Sequence, residues 1–218
     1  MLKHFALSLA VALALAPVVA QQPVPHRPTS TPYTGDLSIF DSPGREKRLH
    51  IDRVMDALQI TPGKTVADIG AGSGWFTMLA ARRVGQNGAV FAVDINPQSK
   101  HYIDKRAAKE GLTNVRTVLS SPDDPMLPVN SVDSVLILKT YHEIENPIAL
   151  MRNLRAALRP GARVGIIDRN GNGTDHGVDR AVVIKEADEA GYRLLSQDDF
   201  VKDDLMDYFL IFVPKEQS

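Results

Sequence analysis

The sequence lacks cysteine and has no excess of charge of either sign. Without cysteine in its 218 residues, the chain can form neither a disulfide nor a lipoprotein anchor. The formal net charge of −1 gives no indication of nucleic acid as an obligatory partner. What remains is ordinary globular composition, 44% hydrophobic and 23% charged, which suffices for one domain with a hydrophobic core.

The apolar run that opens the chain is too short to span a membrane. It covers residues 5–16, about 12 residues, whereas a spanning helix needs ~20. Lys3 precedes the run, and the small residues Val18 and Ala20 follow it in the pattern that signal peptidases accept. We therefore expect residues 1–20 to be a cleavable signal peptide and the protein to be periplasmic or secreted, without a stable membrane anchor. An uncleaved anchor is the alternative.

Proline marks the next segment. Residues 21–36 contain four prolines and few apolar residues, which predicts a flexible linker over residues 21–40. The remainder, residues 41–218, is predicted to form a single domain.

The domain is expected to begin with a helix over "DSPGREKRLHIDRVMDALQI", residues 41–60. Ser42 suits the capping position and Pro43 the first helical position. The apolar residues at helical spacing share one face, and they are Ile51, Val54, Met55 and Leu58.

Strands and helices alternate after this helix. The predicted strands are "TVADIG", "AVFAVDI", "VRTVL", "SVDSVLILK", "RPGARVGIIDR" after its turn, "YRLLSQ" and "DYFLIFVP". The predicted helices between them are "WFTMLAARRV", "PQSKHYIDKRAAKEG", "PIALMRNLRAAL" and "VDRAVVIKEADEAG". Such alternation indicates a parallel sheet covered on both faces. The last two strands have no helix between them, so we expect a doubly wound, Rossmann-like α/β sheet of seven strands with the last strand antiparallel.

A glycine-rich turn, "DIGAGSG", follows the first predicted strand. Ligands of open α/β sheets bind at the carboxyl ends of the strands, and glycine lets backbone approach a ligand closely. The dinucleotide fingerprint requires G-x-G-x-x-G, whereas the spacing here is G-x-G-x-G and Trp75 stands next. "PGKT" at residues 62–65 resembles the end of a phosphate-binding loop, but it precedes the strand and lacks the earlier glycine.

A second acid supports a ligand that carries a ribose. Asp94 ends the second predicted strand, twenty residues after Gly74. A carboxylate at this point can accept hydrogen bonds from the ribose hydroxyl pair. The alternative is that Asp94 only caps the helix that begins at Pro97.

The segments "VADIGAGSGWFT", "VFAVDIN", "LPVNSVDSVLI" and "LRPGARVGIID" occur in this order. Together they resemble the motifs of class I S-adenosylmethionine-dependent methyltransferases, over roughly residues 62–213. "TYHEIENPIALMRNLRAALRPGARVGIIDR" is most similar to the small-molecule branch, which includes quinone-biosynthesis enzymes. The chain also resembles a group of exported bacterial proteins called predicted methyltransferases.

The resemblance implies S-adenosylmethionine as cofactor and a small molecule or an exposed side chain as methyl acceptor. The methionine portion would contact Asp68 and the glycine turn, which consists of Gly70, Ala71, Gly72, Ser73 and Gly74. Asp94 would hold the ribose and Ile95 would pack against the adenine. Asp123 would accept from the adenine amino group, although the usual motif is altered here. Lys139 would either contact the cofactor carboxylate or point away from the sulfonium.

Tyr141, His142 and Glu143 follow the fourth predicted strand and should lie near the transferred methyl. His142 can take a proton from the acceptor, or it can simply brace the next helix. "HE" lacks a second histidine four residues on, so the zinc-protease motif is absent and no metal site is expected.

The loop "DRNGNGTDHG" follows the fifth predicted strand and is a candidate lid, with Asp168, Arg169 or His176 touching the substrate. Arg45 and Arg48 either cover the pocket or form a solvated basic face, which is the default interpretation, and Trp75 is interpreted as a packing residue. Two other classes stay open. One is a methyltransferase-like fold that only binds, and the other is a nicotinamide-linked oxidoreductase.

Overall fold

The computed structural model describes residues 28–29, 31, 33–204 and 208–216. The predicted signal peptide and residues 21–27 of the predicted linker lie outside the described residues. Among the described residues, no helix is long and apolar enough to cross a membrane.

Seven strands form one sheet in the order β3-β2-β1-β4-β5-β7-β6. Their bounds are Thr65–Ile69 (β1), Ala89–Asp94 (β2), Val115–Leu119 (β3), Val132–Leu138 (β4), Leu158–Asp168 (β5), Tyr192–Asp198 (β6) and Tyr208–Pro214 (β7). The first five strands are parallel, and β7 lies antiparallel between β5 and β6. The predicted seven-stranded α/β sheet with a reversed last strand is confirmed.

Six α-helices accompany the sheet in the described part of the chain. They are Arg45–Arg48 (α1), Ile51–Ala57 (α2), Trp75–Val84 (α3), Pro97–Lys109 (α4), Pro147–Ala157 (α5) and Arg180–Glu189 (α6). Short 3-10 helices occupy Leu37–Phe40, Tyr141–Glu143 and Phe200–Asp204. The last of these lies between β6 and β7, where no α-helix was predicted.

The prediction of one continuous first helix is wrong. The backbone of His50 is left-handed, with φ of 48°, and this residue separates α1 from α2. Ser42 does not cap a helix, since α1 begins after the left-handed Gly44 and the Ser42 hydroxyl accepts instead from Arg48 Nη2 at 3.0 Å. The break lets α2 turn its apolar face inward. The four residues predicted for that face are buried, namely Ile51, Val54, Met55 and Leu58.

The sheet separates two main hydrophobic clusters because alternate side chains of a strand point to opposite faces. In β1, Ala67 and Ile69 belong to the cluster that contains side chains of α5 and α6, whereas Val66 belongs to the cluster of α2 and α3. Both faces are therefore covered, as a parallel sheet requires.

The strand order reverses between β1 and β4. The chain runs from β1 outward through β2 to β3, and then returns to place β4 on the other side of β1. The carboxyl ends of β2, β1, β4 and β5 consequently lie side by side at one edge of the sheet. This crevice is where open α/β sheets bind their ligands.

Candidate active site

The turn after β1 brings bare backbone to this crevice. Gly70, Gly72 and Gly74 are all left-handed, with φ of 73°, 55° and 74°. A Cβ on Gly70 would lie 2.3 Å from Thr140 Cγ2, and one on Gly74 would lie 2.9 Å from Ile103 Cγ1. Both the backbone conformation and the available space therefore require glycine here.

A cavity of about 850 Å³ opens at the crevice. Ten of the residues predicted for the site line it, namely Asp68, Gly70, Ala71, Gly72, Ser73, Asp94, Ile95, Lys139, His142 and Glu143. The Ile95 side chain is 46% exposed, so an apolar surface is available to a ligand. Lys139 is exposed as well, and its backbone is left-handed with φ of 53°.

Three predicted residues are not among those that line the cavity. Gly74 forms the N-cap of α3, and Tyr141 is fully buried in the hydrophobic cluster that includes α5. Asp123 accepts from Ser121 Oγ at 3.2 Å, and it is Ser121, rather than Asp123, that lines the cavity. The structure thus gives Tyr141 a packing position instead of one near an acceptor.

Asp94 ties the glycine turn to the end of β2. Its Oδ2 accepts from the Gly72 backbone N–H and its Oδ1 from the Asn96 N–H, both at 2.8 Å. The N-cap of α4 is Asn96, whose side chain accepts from the Gln98 N–H at 2.9 Å. Asp94 is therefore not the cap of this helix. A carboxylate oxygen has two lone pairs, so each oxygen of Asp94 can accept a further hydrogen bond from a ligand.

Asp68 is a buried acid beside the turn. It is 2% exposed, and one of its carboxylate oxygens accepts from Thr77 Oγ1 at 2.6 Å. Burial raises the pKa of Asp68 to about 7, and the negative charge of Asp94 adds to this, whereas Thr77 and the Arg45 guanidinium lower the pKa. A cationic ligand group beside Asp68 would favour its ionised form.

Residues before α1 cover the cavity, although the composition predicted a flexible linker through residue 40. Leu37 is buried in the 3-10 helix, and Tyr33, Leu37 and Phe40 all line the cavity. The rings of Tyr33 and Phe40 pack edge to face with centroids 5.4 Å apart. A Cβ on Gly72 would lie 3.4 Å from the Phe40 ring, so this cover rests close to the turn.

Asp41 anchors the cover to the domain. Its Oδ1 accepts from Ser73 Oγ at 2.8 Å and from Arg106 Nη1 at 2.7 Å. The anchor therefore joins the segment before α1 to both the glycine turn and α4.

Arg45 lies at the cavity, which is the alternative to the solvated basic face expected by default. Its guanidinium lies 4.5 Å from the ring centroid of Trp75, and Nη1 donates to the Phe40 carbonyl at 3.1 Å. Both Arg45 and Trp75 are buried and line the cavity. The only tryptophan of the chain, next to the last glycine of the turn, was the available signal for this pair.

On the other side of β1, His142 is held by a buried acid at the end of β5. His142 Nδ1 lies 3.0 Å from both oxygens of Asp168, and the two side chains are 1% and 0% exposed. The His142 backbone N–H also donates to Asp168 Oδ2 at 3.2 Å. A buried carboxylate places the proton on Nδ1, which leaves the lone pair on Nε2. Asp168, predicted as a substrate contact, thus orients His142.

Glu143 and His176 complete this side of the cavity. Glu143 Oε1 lies 3.8 Å from His142 Nε2, and the His176 ring meets the His142 ring edge to face with centroids 5.7 Å apart. Burial raises the pKa of Glu143 to about 7, opposed by His142 and assisted by Asp168. The loop after β5 therefore brings His176 to the cavity. His176 is one of the three loop residues that the sequence offered as substrate contacts.

Residues 66–161 match the family described as methyltransferase domain. This segment, less than half of the chain, is similar to methyltransferase domains. The predicted Rossmann-like methyltransferase fold is confirmed.

The curated proteins that this segment resembles are named for different substrates. Nocamycin O-methyltransferase of Saccharothrix syringae is 31% identical over 129 residues, which cover 59% of this chain and 46% of that protein. A ubiquinone/menaquinone biosynthesis C-methyltransferase of Hydrogenovibrio crunogenus is 28% identical over 110 residues, which cover 50% of this chain and 43% of that protein. The chain thus spans less than half the length of these curated relatives.

The fold of this chain recurs in solved structures. A SAM-dependent methyltransferase from Aquifex aeolicus superimposes with a TM-score of 0.74 at 24% identity, covering 82% of this chain and 98% of that chain. The predicted cofactor is the one named for that structure.

Proposed function

We propose that the protein transfers the methyl group of S-adenosylmethionine to a small-molecule acceptor. The observation that carries the proposal is the Asp94 carboxylate, which accepts from the Gly72 N–H at the wall of the cavity. This contact sets an acid and a bare backbone turn side by side, and the methyltransferase match includes both.

The residues fit the cofactor in charge and polarity. The free lone pairs of Asp94 suit the two ribose hydroxyls, and the exposed Ile95 side chain suits the adenine ring. Asp68 suits the amino group of the methionine portion, because a cation restores the ionised form of this buried acid. When bound, the cofactor supplies an electrophilic methyl group on its sulfonium.

The acceptor belongs on the side of β1 that carries His142. Asp94 ends β2 and His142 follows β4, and these strands flank β1, so the cofactor and acceptor sides meet over the glycine turn. Transfer of the methyl group to an acceptor on this side would leave the electron pair of the broken carbon–sulfur bond on sulfur. An acceptor hydroxyl must also lose its proton, and the Nε2 lone pair of His142 lies at the cavity to receive it. O- and C-methyltransferases among the relatives support a small-molecule acceptor.

Calorimetric titration of the full chain with S-adenosylhomocysteine tests the proposal. We expect saturable binding, and Asp94→Asn should weaken it about tenfold or more, because a hydrogen bond to a charged group contributes about 1.5–3 kcal/mol. The matched control is Asp104→Asn, an acid on α4 that pairs with Lys100 and does not line the cavity. Its affinity should equal that of the unchanged protein.

If the folded protein shows no binding, the proposed methyltransferase activity is rejected. If the two variants have equal affinities, the proposed contact of Asp94 with the ribose is rejected. Titration with a nicotinamide dinucleotide in the same calorimeter tests the oxidoreductase alternative, which requires that this dinucleotide binds. A methyltransferase-like binding protein differs in taking up the cofactor product while giving no turnover with any acceptor.

We also propose that the protein acts outside the cytoplasm, as one of the exported bacterial group that it resembles. Support comes from residues 1–20, whose basic start, short apolar run and small residues before Gln21 match a cleavable signal.

A further inference from the structure

We propose that His142, Glu143 and His176 form a binding site for one divalent transition metal ion on the acceptor side of the cavity. Each of the three can present one donor atom, and these atoms lie within 4.8 Å of one another. All three residues line the cavity. Zn–N and Zn–O bonds are about 2.0–2.2 Å long, so an ion placed between the three donor atoms is close to bonding distance from each. Small side-chain rotations would complete the coordination.

The contacts of His142 are those of a ligand whose outer partner is already in place. Histidines that bind metals commonly donate their other ring N–H to a carboxylate, which fixes the ring and makes the ligating nitrogen more basic. Asp168 supplies this partner at 3.0 Å and is completely buried. The remaining nitrogen, Nε2, is the one that lies 3.8 Å from Glu143 Oε1.

The third ligand sits on a loop with its own internal hydrogen bonds. Arg169 Nε donates to the His176 carbonyl at 3.1 Å, and the Val178 N–H donates to the Arg169 carbonyl at 2.8 Å. Asp175 Oδ1 accepts from the Asn172 N–H at 3.0 Å. These contacts close the loop on itself at the end of β5, and they hold His176 opposite His142.

The donor set determines the class of ion. Two imidazoles and one carboxylate suit zinc, iron, cobalt and nickel better than magnesium or calcium, which prefer oxygen ligands. Two positive charges would offset the carboxylates of Glu143 and Asp168. Three protein ligands leave at least one coordination position open toward the cavity, which is typical of catalytic rather than structural sites.

The role of the ion rests on the proposed function. An acceptor hydroxyl bound at the open position would lose its proton to water more easily, because a divalent ion stabilises the oxyanion. The oxyanion then forms the bond to the methyl carbon. The acceptor class is accordingly an alcohol, phenol or enol. His142 Nε2 cannot bind the ion and act as the base at once, so the two roles exclude each other.

Titration with cobalt(II) tests the site directly. The full chain, free of any histidine tag and treated with a chelator, should bind one ion and show visible absorption bands. His176→Gln and Glu143→Gln should each weaken binding by at least about tenfold, since even the loss of an outer partner weakens metal sites by about 10–100-fold. His101→Gln is the matched control, because His101 is exposed on α4, and its affinity should not change.

Folded protein that takes up no cobalt, or binding that survives both ligand substitutions, would overturn the site and leave His142 as a base. His176 is exposed, so its substitution does not put the core at risk. S-adenosylhomocysteine titration of the same preparations tells the two proposals apart. Cofactor binding without cobalt binding refutes only the metal site, and the reverse result refutes only methyl transfer.

Discussion

At the residue scale, the site depends on acids that the fold keeps away from water. Asp68 has a single hydroxyl donor in Thr77 and an acid, Asp94, near enough to raise its pKa. Asp94 itself accepts two backbone N–H groups and is only half-buried. The two carboxylates therefore lie in different surroundings, although they flank the same turn.

Asp68 should make the protein less stable as the pH rises from about 4 to 7. Its pKa is about 7 in the folded chain against 3.8 as the ordinary value, so the folded state holds one more proton across this range. Stability falls with pH wherever the folded state binds more protons. Three pKa units correspond to a loss on the order of 4 kcal/mol.

Urea unfolding followed by the fluorescence of Trp75 at several pH values measures this loss. Asp68→Asn keeps the shape but cannot ionise, so its free energy of unfolding should vary less between pH 4 and 7 than that of the unchanged chain. Parallel curves for the two proteins would show that Asp68 is ionised in the folded state. Asp104→Asn should leave the slope of the curve unaltered above pH 5, since the pKa of this exposed carboxylate is lowered and its contribution to stability is constant there.

Single residues were predictable where a local pattern required them. The glycine turn and Asp94 follow from spacing alone, and all of them except Gly74 line the cavity. The roles of Asp168 and His176 were not predictable, because they depend on which strand ends the sheet brings next to His142. His176 lies 34 residues beyond His142 in the sequence, and only the packing of β4 against β5 brings the two together.

At the element scale, the turn after β1 is built around positions that exclude side chains. Gly70 faces Thr140, which follows β4, and so the turn and the His142 segment are fitted to each other. Gly63 has a similar left-handed backbone, with φ of 83° against 73°, but a Cβ there would meet nothing within 4 Å.

The two glycines form a matched pair for substitution by alanine. Gly63→Ala should cost about 1–2 kcal/mol, the strain of a left-handed alanine. Gly70→Ala should cost about 1–3 kcal/mol more, because its Cβ would lie 2.3 Å from Thr140 Cγ2 and must displace that side chain.

Urea unfolding compares the stabilities of the two variants. Calorimetry with S-adenosylhomocysteine measures how tightly each variant binds this ligand at the turn. Only Gly70→Ala should lose affinity, since Gly63 lies away from the cavity lining. Equal losses of stability would mean that Thr140 yields freely and that the turn has more room than its geometry indicates.

Elements were predictable in proportion to their regularity. The strands and the four helices between them follow from alternation, and their order along the chain is confirmed. The cover formed by Leu37–Phe40 was missed, since the proline-rich segment before it has few apolar residues and therefore no periodic pattern. The break at His50 was missed as well, because neither glycine nor proline marks it. Leu37 is buried by tertiary contacts at the cavity, which no local pattern encodes.

At the scale of the whole molecule, the composition and the number of strands indicate the class of fold. The localisation of the protein stays a prediction. The proposed cofactor is made in the cytoplasm, so the proposed export would require a supply of this cofactor outside it. The processing of residues 1–20 is therefore the first property of the whole chain to measure.

Mass spectrometry of the protein from the periplasm of an expressing bacterium should give a chain that begins at Gln21. Ala20→Leu should block the cut, because the peptidase requires a small residue there, whereas Ala14→Leu only lengthens an apolar side chain inside the run. A periplasmic product of the unchanged chain that still carries Met1 would contradict cleavage.

The position of β7 also sets the order in which the molecule can be completed during synthesis. β6 pairs with β7 and with no other strand of the described residues, and β7 occupies the free edge of β5. Until residues 208–214 have left the ribosome, β6 has no strand to join and the edge of β5 stays unpaired. The sheet therefore cannot close before β7 has been synthesised.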